Sequence, residues 1–126
     1  MIVGIGVDIV DVNRIVALVN RFGDRFLKKI LSRREIKLGL TDRQQAAYVA
    51  KQFAAKEAVS KALGTGMRWG VRFRTIQVLR NQNGAPYVRL KNLAAERARQ
   101  MGADNIQISL SDEKDYAIAY VVASSN

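Results

Sequence analysis

The sequence predicts an α+β fold in which an antiparallel sheet packs with one long helix and several short helices. Helix-spaced apolar residues alternate along the chain with short apolar runs that are typical of strands. Asn81–Ala85 joins two of these runs, and its Asn83-Gly84 dipeptide is a strong hairpin signal. Ser111–Asp115 joins the last two. Because hairpins connect neighbouring strands in opposite directions, these two turns favour an antiparallel sheet.

The N-terminal part predicts one strand followed by two helical segments. Residues 2–9 are almost all apolar or glycine, which is typical of a buried strand. Asp11 can cap a helix whose apolar residues recur at helical spacing, and Gly23 is placed to end that helix. Residues 26–31 then form a second apolar helical face.

The middle of the chain predicts a short helix and then the longest one. Ser32 followed by Glu35 is a capping box for the short helix. The long helical pattern runs from Asp42 to Leu63, with large apolar residues separated by alanines. Gly64 suits the end of this helix, because glycine readily adopts the left-handed conformation that follows a helix.

The C-terminal part predicts four strands in two hairpins, with a helix between them. Residues 73–80 and 86–90 form the first hairpin, and residues 106–110 and 116–123 form the second. The helix covers residues 92–101 and is closed by a glycine.

Composition excludes several kinds of chemistry. The chain has 126 residues, 48% hydrophobic and 25% charged, which is typical of a single soluble domain covering residues 1–126. It has no Cys and no His, which excludes disulfides, thiolate or imidazole metal sites and Ser-His-Asp catalysis. A metal would need oxygen ligands. No apolar run approaches the ~20 residues of a membrane span, and the N-terminus lacks the basic start of a signal peptide. We therefore expect a cytoplasmic protein.

The charge is strongly positive and unevenly placed. The formal net charge is +10, from 21 Lys and Arg against 11 Asp and Glu. Residues 14–37 hold eight basic residues against two acidic ones. Within them Arg14 and Arg21 share one face of the first helix, with Arg25 one turn further on. Such a field attracts an acidic partner: nucleic acid, a phosphorylated cofactor or an acidic protein. The simpler alternative is a solvated face that keeps the protein soluble.

Three charged residues indicate a possible site, and each has an ordinary alternative. Asp8 ends a strand that has no other charge, so it is either a cap or turn residue or a metal ligand. Glu57 and Lys61 are four residues apart on the long helix. They form either an exposed ion pair or a carboxylate for a hard cation beside an ammonium for a phosphate.

Two glycine motifs are similarly open. Gly4–Gly6 lacks the third glycine of a dinucleotide fingerprint, so it favours close backbone packing or the approach of a ligand. Gly64–Gly66 either stops the long helix or forms a loop whose N–H groups approach a phosphate. It is not a P-loop, because the required Lys-Ser/Thr is missing. Met67, Trp69 and Phe73 either line an apolar slot or belong to the core.

Four segments taken together resemble the holo-acyl-carrier-protein synthases, which are small stand-alone bacterial 4′-phosphopantetheinyl transferases. They occur in the family's order from end to end of the chain: Met1–Arg14 (MIVGIGVDIVDVNR), Phe53–Gly66 (FAAKEAVSKALGTG), Asn83–Pro86 (NGAP) and Ile108–Ala123 (ISLSDEKDYAIAYVVA). The G-x-D start is highly specific in combination with F-x-x-K-E-A-x-x-K, whereas either half alone is weak.

The resemblance implies a reaction and a site. The phosphopantetheine arm of coenzyme A moves to a serine of acyl carrier protein, with Mg²⁺, and adenosine 3′,5′-bisphosphate leaves. Asp8 and Glu57 become the metal ligands, which agrees with the preference of Mg²⁺ for one or two carboxylates plus phosphate oxygens and water. Lys61 would hold a phosphate. The serine proton is expected to go to Glu57 or to a metal-bound water. The residues expected to flank coenzyme A are Gly64, Thr65, Gly66, Asn83, Gly84 and Pro86.

The resemblance also implies the partners. Acyl carrier protein is small and acidic, and the family docks it on the first basic helix. The residues expected at this interface are Arg14, Arg21, Arg25, Phe26 and Lys29. Rim charges of this kind mainly set the association rate. The family is typically a homotrimer with active sites shared between neighbouring subunits.

Three positions depart from the family pattern. Many members have a basic residue where this chain has Gln52, Lys where it has Ala85, and His where it has Asp112. In the family these positions lie near the 3′-phosphate of coenzyme A. We therefore expect another nearby base, such as Lys51 or Arg68, to hold that phosphate here.

The alternative function is a basic RNA- or ribosome-binding module without catalysis, which the net charge of +10 would suit. Aromatic residues are only 7% of the chain, and no RNA-binding aromatic motif is present, which weighs against base stacking. We therefore expect neither a nucleic acid nor a membrane as partner.

Overall fold

The computed structural model describes all 126 residues and shows five strands and four α-helices. They are, in chain order, β1 (Ile2–Asp11), α1 (Val12–Phe22), α2 (Asp24–Ile30), α3 (Asp42–Ala62), β2 (Ile76–Arg80), β3 (Pro86–Leu90), α4 (Asn92–Met101), β4 (Asn105–Asp112) and β5 (Tyr116–Ser124). Short 3₁₀ turns occur at Arg33–Glu35 and Phe73–Thr75. All strand pairs are antiparallel, so the predicted α+β class is confirmed. No helix combines the length and apolarity needed to cross a bilayer.

The strands form two sheets, where the sequence predicted a single one. The larger sheet has three strands in the order β1-β5-β4, and β2 and β3 form a separate hairpin. Arg80 pairs directly with Pro86 across this hairpin, so the turn between them begins and ends at these two residues.

Helix α3 covers the inner face of the three-stranded sheet, and two glycines of β1 allow the close approach. A Cβ atom on Gly4 would lie 2.1 Å from the carbonyl oxygen of Ala62, and one on Gly6 would lie 1.9 Å from that of Ala58. No side chain fits at such distances. Close backbone packing is therefore the role of these glycines, and it brings the following part of β1 beside α3.

The first hairpin begins later than predicted. The strand expected over residues 73–80 starts at Ile76, because Phe73–Thr75 forms a 3₁₀ turn. The Thr75 hydroxyl accepts a hydrogen bond from the backbone N–H of Arg72 at 3.0 Å and donates to its carbonyl oxygen at 2.9 Å. Local side-chain bonds of this kind compete with a strand ladder.

The outer face of the three-stranded sheet is apolar and uncovered in the single chain. On β1, Ile5 and Ile9 are 59% and 61% exposed, and on β5, Ile118 and Tyr120 are 41% and 50% exposed. The expectation of a buried first strand is therefore wrong for one chain alone, because β1 is apolar on both faces and only one face meets α3. A contiguous apolar patch is typical of a surface that contacts another protein.

Candidate active site

Asp8 lies on the side of β1 that faces α3, in the same alternation that buries Gly6 and Val10. Lys61, near the C-terminal end of α3, reaches Asp8 from the helix. Its Nζ donates to Asp8 Oδ1 at 3.1 Å and to the carbonyl oxygen of Val7 at 2.9 Å. The side chain of Lys61 is 51% exposed and that of Asp8 17%. The pair is therefore formed by tertiary packing and is accessible to a ligand.

Glu57 lies one helical turn before Lys61, and its electrostatics couple it to Asp8. Burial raises the pKa of Glu57 above its ordinary value, and the negative charge of Asp8 raises it further. The positive charges of Lys61 and Arg14 oppose this rise. Lys61 forms its ion pair with Asp8, and none of the chain's ion pairs joins it to Glu57. Glu57 and Lys61 therefore do not form the exposed ion pair that was the ordinary alternative for them.

The two carboxylates fit a hard divalent cation. The charge of Asp8 acts against ionisation of Glu57, and a cation bound between the two carboxylates would relieve this repulsion. The structure contains no cluster of three or more metal-ligating side chains, so such a site would have two protein ligands, Asp8 and Glu57. Mg²⁺ is commonly bound in this way, with phosphate oxygens and water as its other ligands.

The glycine loop after α3 ends the helix. Gly64 and Gly66 have left-handed φ angles of +76° and +61°. The N–H of Gly64 donates to the carbonyl oxygen of Lys61 at 3.0 Å, and those of Thr65 and Gly66 donate to that of Ser60 at 3.3 and 3.1 Å. These N–H groups therefore close the helix and are not directed at a phosphate. A Cβ on Gly66 would meet no atom within 4 Å, so the loop has open space beside it.

A cavity of about 490 Å³ joins Glu57 to the basic helices α1 and α2. Four of the five predicted docking residues line it, namely Arg14, Arg25, Phe26 and Lys29. The guanidinium of Arg14 lies 5.7 Å from the centroid of the Phe53 ring. Arg21 does not line this cavity, and its guanidinium lies 5.1 Å from the centroid of the Phe22 ring. One cavity therefore holds both a candidate catalytic carboxylate and four of the five predicted docking residues.

The sequence analysis missed a second basic cavity beside the first, of about 670 Å³. It shares Arg25, Lys29 and Phe73 with the first cavity. The rest of its wall is formed by Lys28, Met67, Val71, Arg72 and Arg74. The available signal was the pair of arginines on either side of Phe73. Trp69 takes no part in this wall and is 72% exposed, so it does not belong to the core.

A buried ionic network directly before Glu57 was also missed. Lys56 is fully buried, and its Nζ donates to Glu35 Oε1 at 2.7 Å. The same Nζ donates to the carbonyl oxygens of Ile30 at 2.6 Å and Phe73 at 3.0 Å. Burial lowers the pKa of Lys56, and the charge of Glu35 opposes that effect. The network therefore ties α2 and the 73–75 turn, both of which border the basic cavities, to α3.

The residues expected at the adenosine end lie elsewhere in the chain. Asn83 and Gly84 lie in the turn between β2 and β3, where the Asn81 side chain accepts the N–H of Asn83 at 2.9 Å, and Pro86 begins β3. None of the three lines the cavity that contains Glu57. Within one chain, the structure does not bring them together with the carboxylates.

Comparison with known proteins identifies the family. The family model of the 4′-phosphopantetheinyl transferase superfamily matches residues 4–121. The holo-[acyl-carrier-protein] synthase of Vibrio vulnificus is 45% identical over 124 residues, covering 98% of each chain. That of Hydrogenovibrio crunogenus is 44% identical over 125 residues, covering 99% of this chain and 98% of its own.

Solved structures agree with the sequence comparison. The holo-[acyl-carrier-protein] synthase of Neisseria meningitidis has a TM-score of 0.90 at 38% identity, covering 99% of this chain and 100% of its own. That of Helicobacter pylori, in complex with coenzyme A, has a TM-score of 0.83 at 35% identity, covering 95% of this chain and 99% of its own. The chain therefore belongs to the 4′-phosphopantetheinyl transferase superfamily, and within it to the holo-[acyl-carrier-protein] synthase family. It is accordingly an enzyme of the phosphopantetheinyl transferase class.

Proposed function

We propose that this enzyme transfers 4′-phosphopantetheine from coenzyme A to a serine of apo acyl carrier protein. The serine oxygen forms a bond to the phosphorus that carries pantetheine, and that phosphorus loses its bond to the oxygen of the adenosine-side phosphate. Adenosine 3′,5′-bisphosphate therefore leaves. The observation that carries the proposal is the cavity in which Glu57 lies among the cations of α1 and α2. An acidic protein bound there would present its serine beside a carboxylate. The Helicobacter pylori relative's complex with coenzyme A supports this donor.

Asp8 and Glu57 would hold Mg²⁺ in this reaction. Their mutual repulsion and the absence of His and Cys leave a hard oxygen site, as Mg²⁺ requires. When bound, Mg²⁺ would supply positive charge that offsets the charge developing on the departing adenosine-side phosphate. Lys61, whose ammonium is exposed beside Asp8, would hold a phosphate oxygen of coenzyme A.

The serine proton would pass to the Glu57 carboxylate or to a water molecule. Glu57 is a candidate acceptor because its carboxylate lies in the cavity that the carrier serine would enter. The loop after α3 and the turn between β2 and β3 would flank the rest of coenzyme A. The residues assigned to them are Gly64, Thr65, Gly66, Asn83, Gly84 and Pro86.

The acidic acyl carrier protein would dock on α1 and α2. The residues assigned to this surface are Arg14, Arg21, Arg25, Phe26 and Lys29. Charges at the rim of such an interface chiefly raise the association rate and make it dependent on salt.

The reaction is tested by incubating the protein with apo acyl carrier protein, coenzyme A and Mg²⁺ and measuring the intact mass of the carrier. We expect a gain of one phosphopantetheine, which a chelator abolishes.

Arg25→Glu should raise the KM for the carrier about 10-fold, because it reverses a charge at the docking surface, while the KM for coenzyme A stays unchanged. Arg89→Glu, on the exposed side of β3, is the matched control and should change neither.

An unchanged carrier mass with several carriers would contradict the proposed reaction. If coenzyme A binding were absent as well and the protein bound RNA with a steep salt dependence, the RNA-binding alternative would replace it.

We also infer a homotrimer with sites shared between subunits. The uncovered apolar face of β1 and β5 would be the contact surface. A shared site would let the turn at Asn83–Pro86 of one subunit complete the carboxylate site of another.

The mass of the protein in solution tests the trimer. Sedimentation should give three times the chain mass of 14.0 kDa. Ile9→Lys, which places a charge on that face, should lower the mass toward that of one chain. A monomeric wild-type protein with full activity would contradict the trimer.

A further inference from the structure

Arg80, the last residue of β2, carries a half-buried guanidinium that lacks a counter-ion. One terminal nitrogen donates to Gln52 Oε1 at 2.9 Å, whereas the other, Nη1, is buried without any hydrogen-bond partner. None of the chain's ion pairs includes Arg80. Burial lowers its pKa, and the charges of Tyr48 and Glu35 oppose this effect without cancelling it. A buried donor without an acceptor calls for an explanation, and a bound anion would supply the acceptor.

Gln52 holds this guanidinium in place. Its Nε2 donates to Glu35 Oε2 at 2.5 Å and to the carbonyl oxygen of Val78 at 2.9 Å. The amide is therefore oriented with its oxygen toward Arg80. The guanidinium carbon also lies 5.7 Å from the centroid of the Tyr48 ring. An arginine fixed in this way is prepared to bind a ligand with little loss of side-chain entropy.

The cavity beside Arg80 is strongly positive. It measures about 270 Å³, and Arg34, Lys37 and Arg80 line it. Glu35 is the only carboxylate in its wall, and the buried ammonium of Lys56 already neutralises it. Three cations without a free carboxylate favour an anionic ligand, and a guanidinium fork particularly suits a phosphate.

The position of Arg80 indicates which phosphate this is. Arg80 lies directly opposite Pro86, at the turn that the proposed function places beside the adenosine of coenzyme A. Coenzyme A carries one phosphate monoester, on the 3′-hydroxyl of that adenosine. Lys51 and Arg68, which the sequence suggested for this group, have other contacts. Lys51 pairs with Asp112 at 3.3 Å, and the guanidinium of Arg68 lies 5.1 Å from the centroid of the Trp69 ring.

We infer, resting on the proposed function, that Arg80 binds the 3′-phosphate of coenzyme A, with Arg34 and Lys37 adding to the positive field. Arg80 thereby determines the selectivity of the enzyme for coenzyme A over 3′-dephospho-coenzyme A. The diphosphate is assigned to Lys61 and the carboxylate site, so loss of Arg80 should weaken substrate binding and leave the chemical step nearly intact.

The test compares steady-state transfer from coenzyme A and from 3′-dephospho-coenzyme A. In Arg80→Gln, the KM for coenzyme A should rise about 10- to 100-fold, which corresponds to losing hydrogen bonds to a charged group. The KM for 3′-dephospho-coenzyme A should change less than about 2-fold, because the missing phosphate has no contact to lose. Arg80→Lys should fall between wild type and Arg80→Gln, since lysine keeps the charge without the fork. Arg89→Gln, on the neighbouring strand, removes the same charge outside the cavity and should behave as wild type.

Calorimetric measurement of nucleotide binding to wild type and to Arg80→Gln is an independent test. Wild type should bind adenosine 3′,5′-bisphosphate more tightly than 5′-AMP, and Arg80→Gln should bind the two about equally. If wild type transfers phosphopantetheine but Arg80→Gln changes both substrates to the same extent, or neither, this inference is overturned and the proposed function stands. If wild type modifies no carrier with either substrate, the proposed function fails and the inference fails with it.

Discussion

Replacing Glu57 with glutamine is expected to lower the kcat of phosphopantetheine transfer by at least about 10²-fold, within the range that a general acid–base residue supplies. The substitution keeps the size of the side chain but removes the negative charge. With it go one of the two proposed Mg²⁺ ligands and one of the two candidate acceptors for the serine proton. Asp8→Asn should have a comparable effect, because it removes the other proposed ligand.

The measurement is the initial rate of carrier modification at saturating coenzyme A and carrier over a range of Mg²⁺ concentrations. Glu113→Gln, an exposed glutamate in the turn between β4 and β5, is the matched control and should retain wild-type rates. Full turnover of Glu57→Gln and Asp8→Asn at saturating Mg²⁺ would show that the metal site has been assigned to the wrong residues.

Glu57→Gln also has an expected effect on the free energy of unfolding, and the sign of that effect follows from the pKa of Glu57. Burial raises that pKa in the folded protein, so between its unfolded and folded values the folded state binds more protons. Stability therefore falls as the pH rises through this interval, and above it the ionised Glu57 destabilises the fold. Glu57→Gln should leave the free energy of unfolding at neutral pH unchanged or slightly increased in a urea titration. A variant that loses activity without losing stability separates the chemical role of Glu57 from a structural one.

Local signals predicted much of the fold. Helix α4 was predicted at Asn92–Met101 and is found there, because Gly102 adopts the left-handed conformation that ends a helix, with φ of +76°. Asp11 caps α1 as predicted, accepting the N–H of Asn13 at 2.9 Å. These outcomes depend on residues within one or two turns of each other. The 3₁₀ turn at Phe73–Thr75 was not predicted, since its apolar start and β-branched end also suit a strand.

The candidate site was only partly predictable, because its contacts join distant segments. Asp8 and Lys61 are 53 residues apart and meet because Gly4 and Gly6 let β1 lie directly against α3. Neither the hydrophobic pattern nor the spacing of the charges predicts that these two residues are in contact. The family resemblance selected Asp8, Glu57 and Lys61 as a set, and the structure brings Asp8 and Lys61 into contact.

Lys56 and Glu57 show most clearly what the sequence could not predict, since these adjacent residues of one motif have different surroundings. Glu57 borders a cavity, whereas Lys56, the residue before it on α3, is fully buried. The sequence analysis assigned no role to Lys56, because its partner Glu35 lies 21 residues away, in the short turn before α3. A charged residue on the buried face of a helix was the available signal, and it becomes informative only once a partner is known.

Replacing Lys56 with alanine is expected to lower the free energy of unfolding by about 3–5 kcal/mol, because it leaves the Glu35 carboxylate buried without its counter-ion. Glu35 is 1% exposed, so water cannot take the place of the ammonium. The carbonyl oxygens of Ile30 and Phe73 lose their donor as well. Urea denaturation followed by circular dichroism measures the change, with Lys51→Ala on the same helix as the control. Lys51 is a partly exposed lysine whose ion pair with Asp112 should contribute less than about 1 kcal/mol.

A double substitution separates the loss of a partner from the worth of the pair itself. Lys56→Met with Glu35→Leu removes both charges and keeps most of the apolar volume. The free energy of unfolding of this double variant should therefore be closer to that of wild type than the value for Lys56→Ala. If the double variant were as unstable as Lys56→Ala, the stability would come from the hydrogen bonds to Ile30 and Phe73 and not from neutralising Glu35. If Lys56→Ala cost less than about 1 kcal/mol, the network would not hold α2 and the 73–75 turn to α3, and the basic cavities would owe their shape to apolar packing.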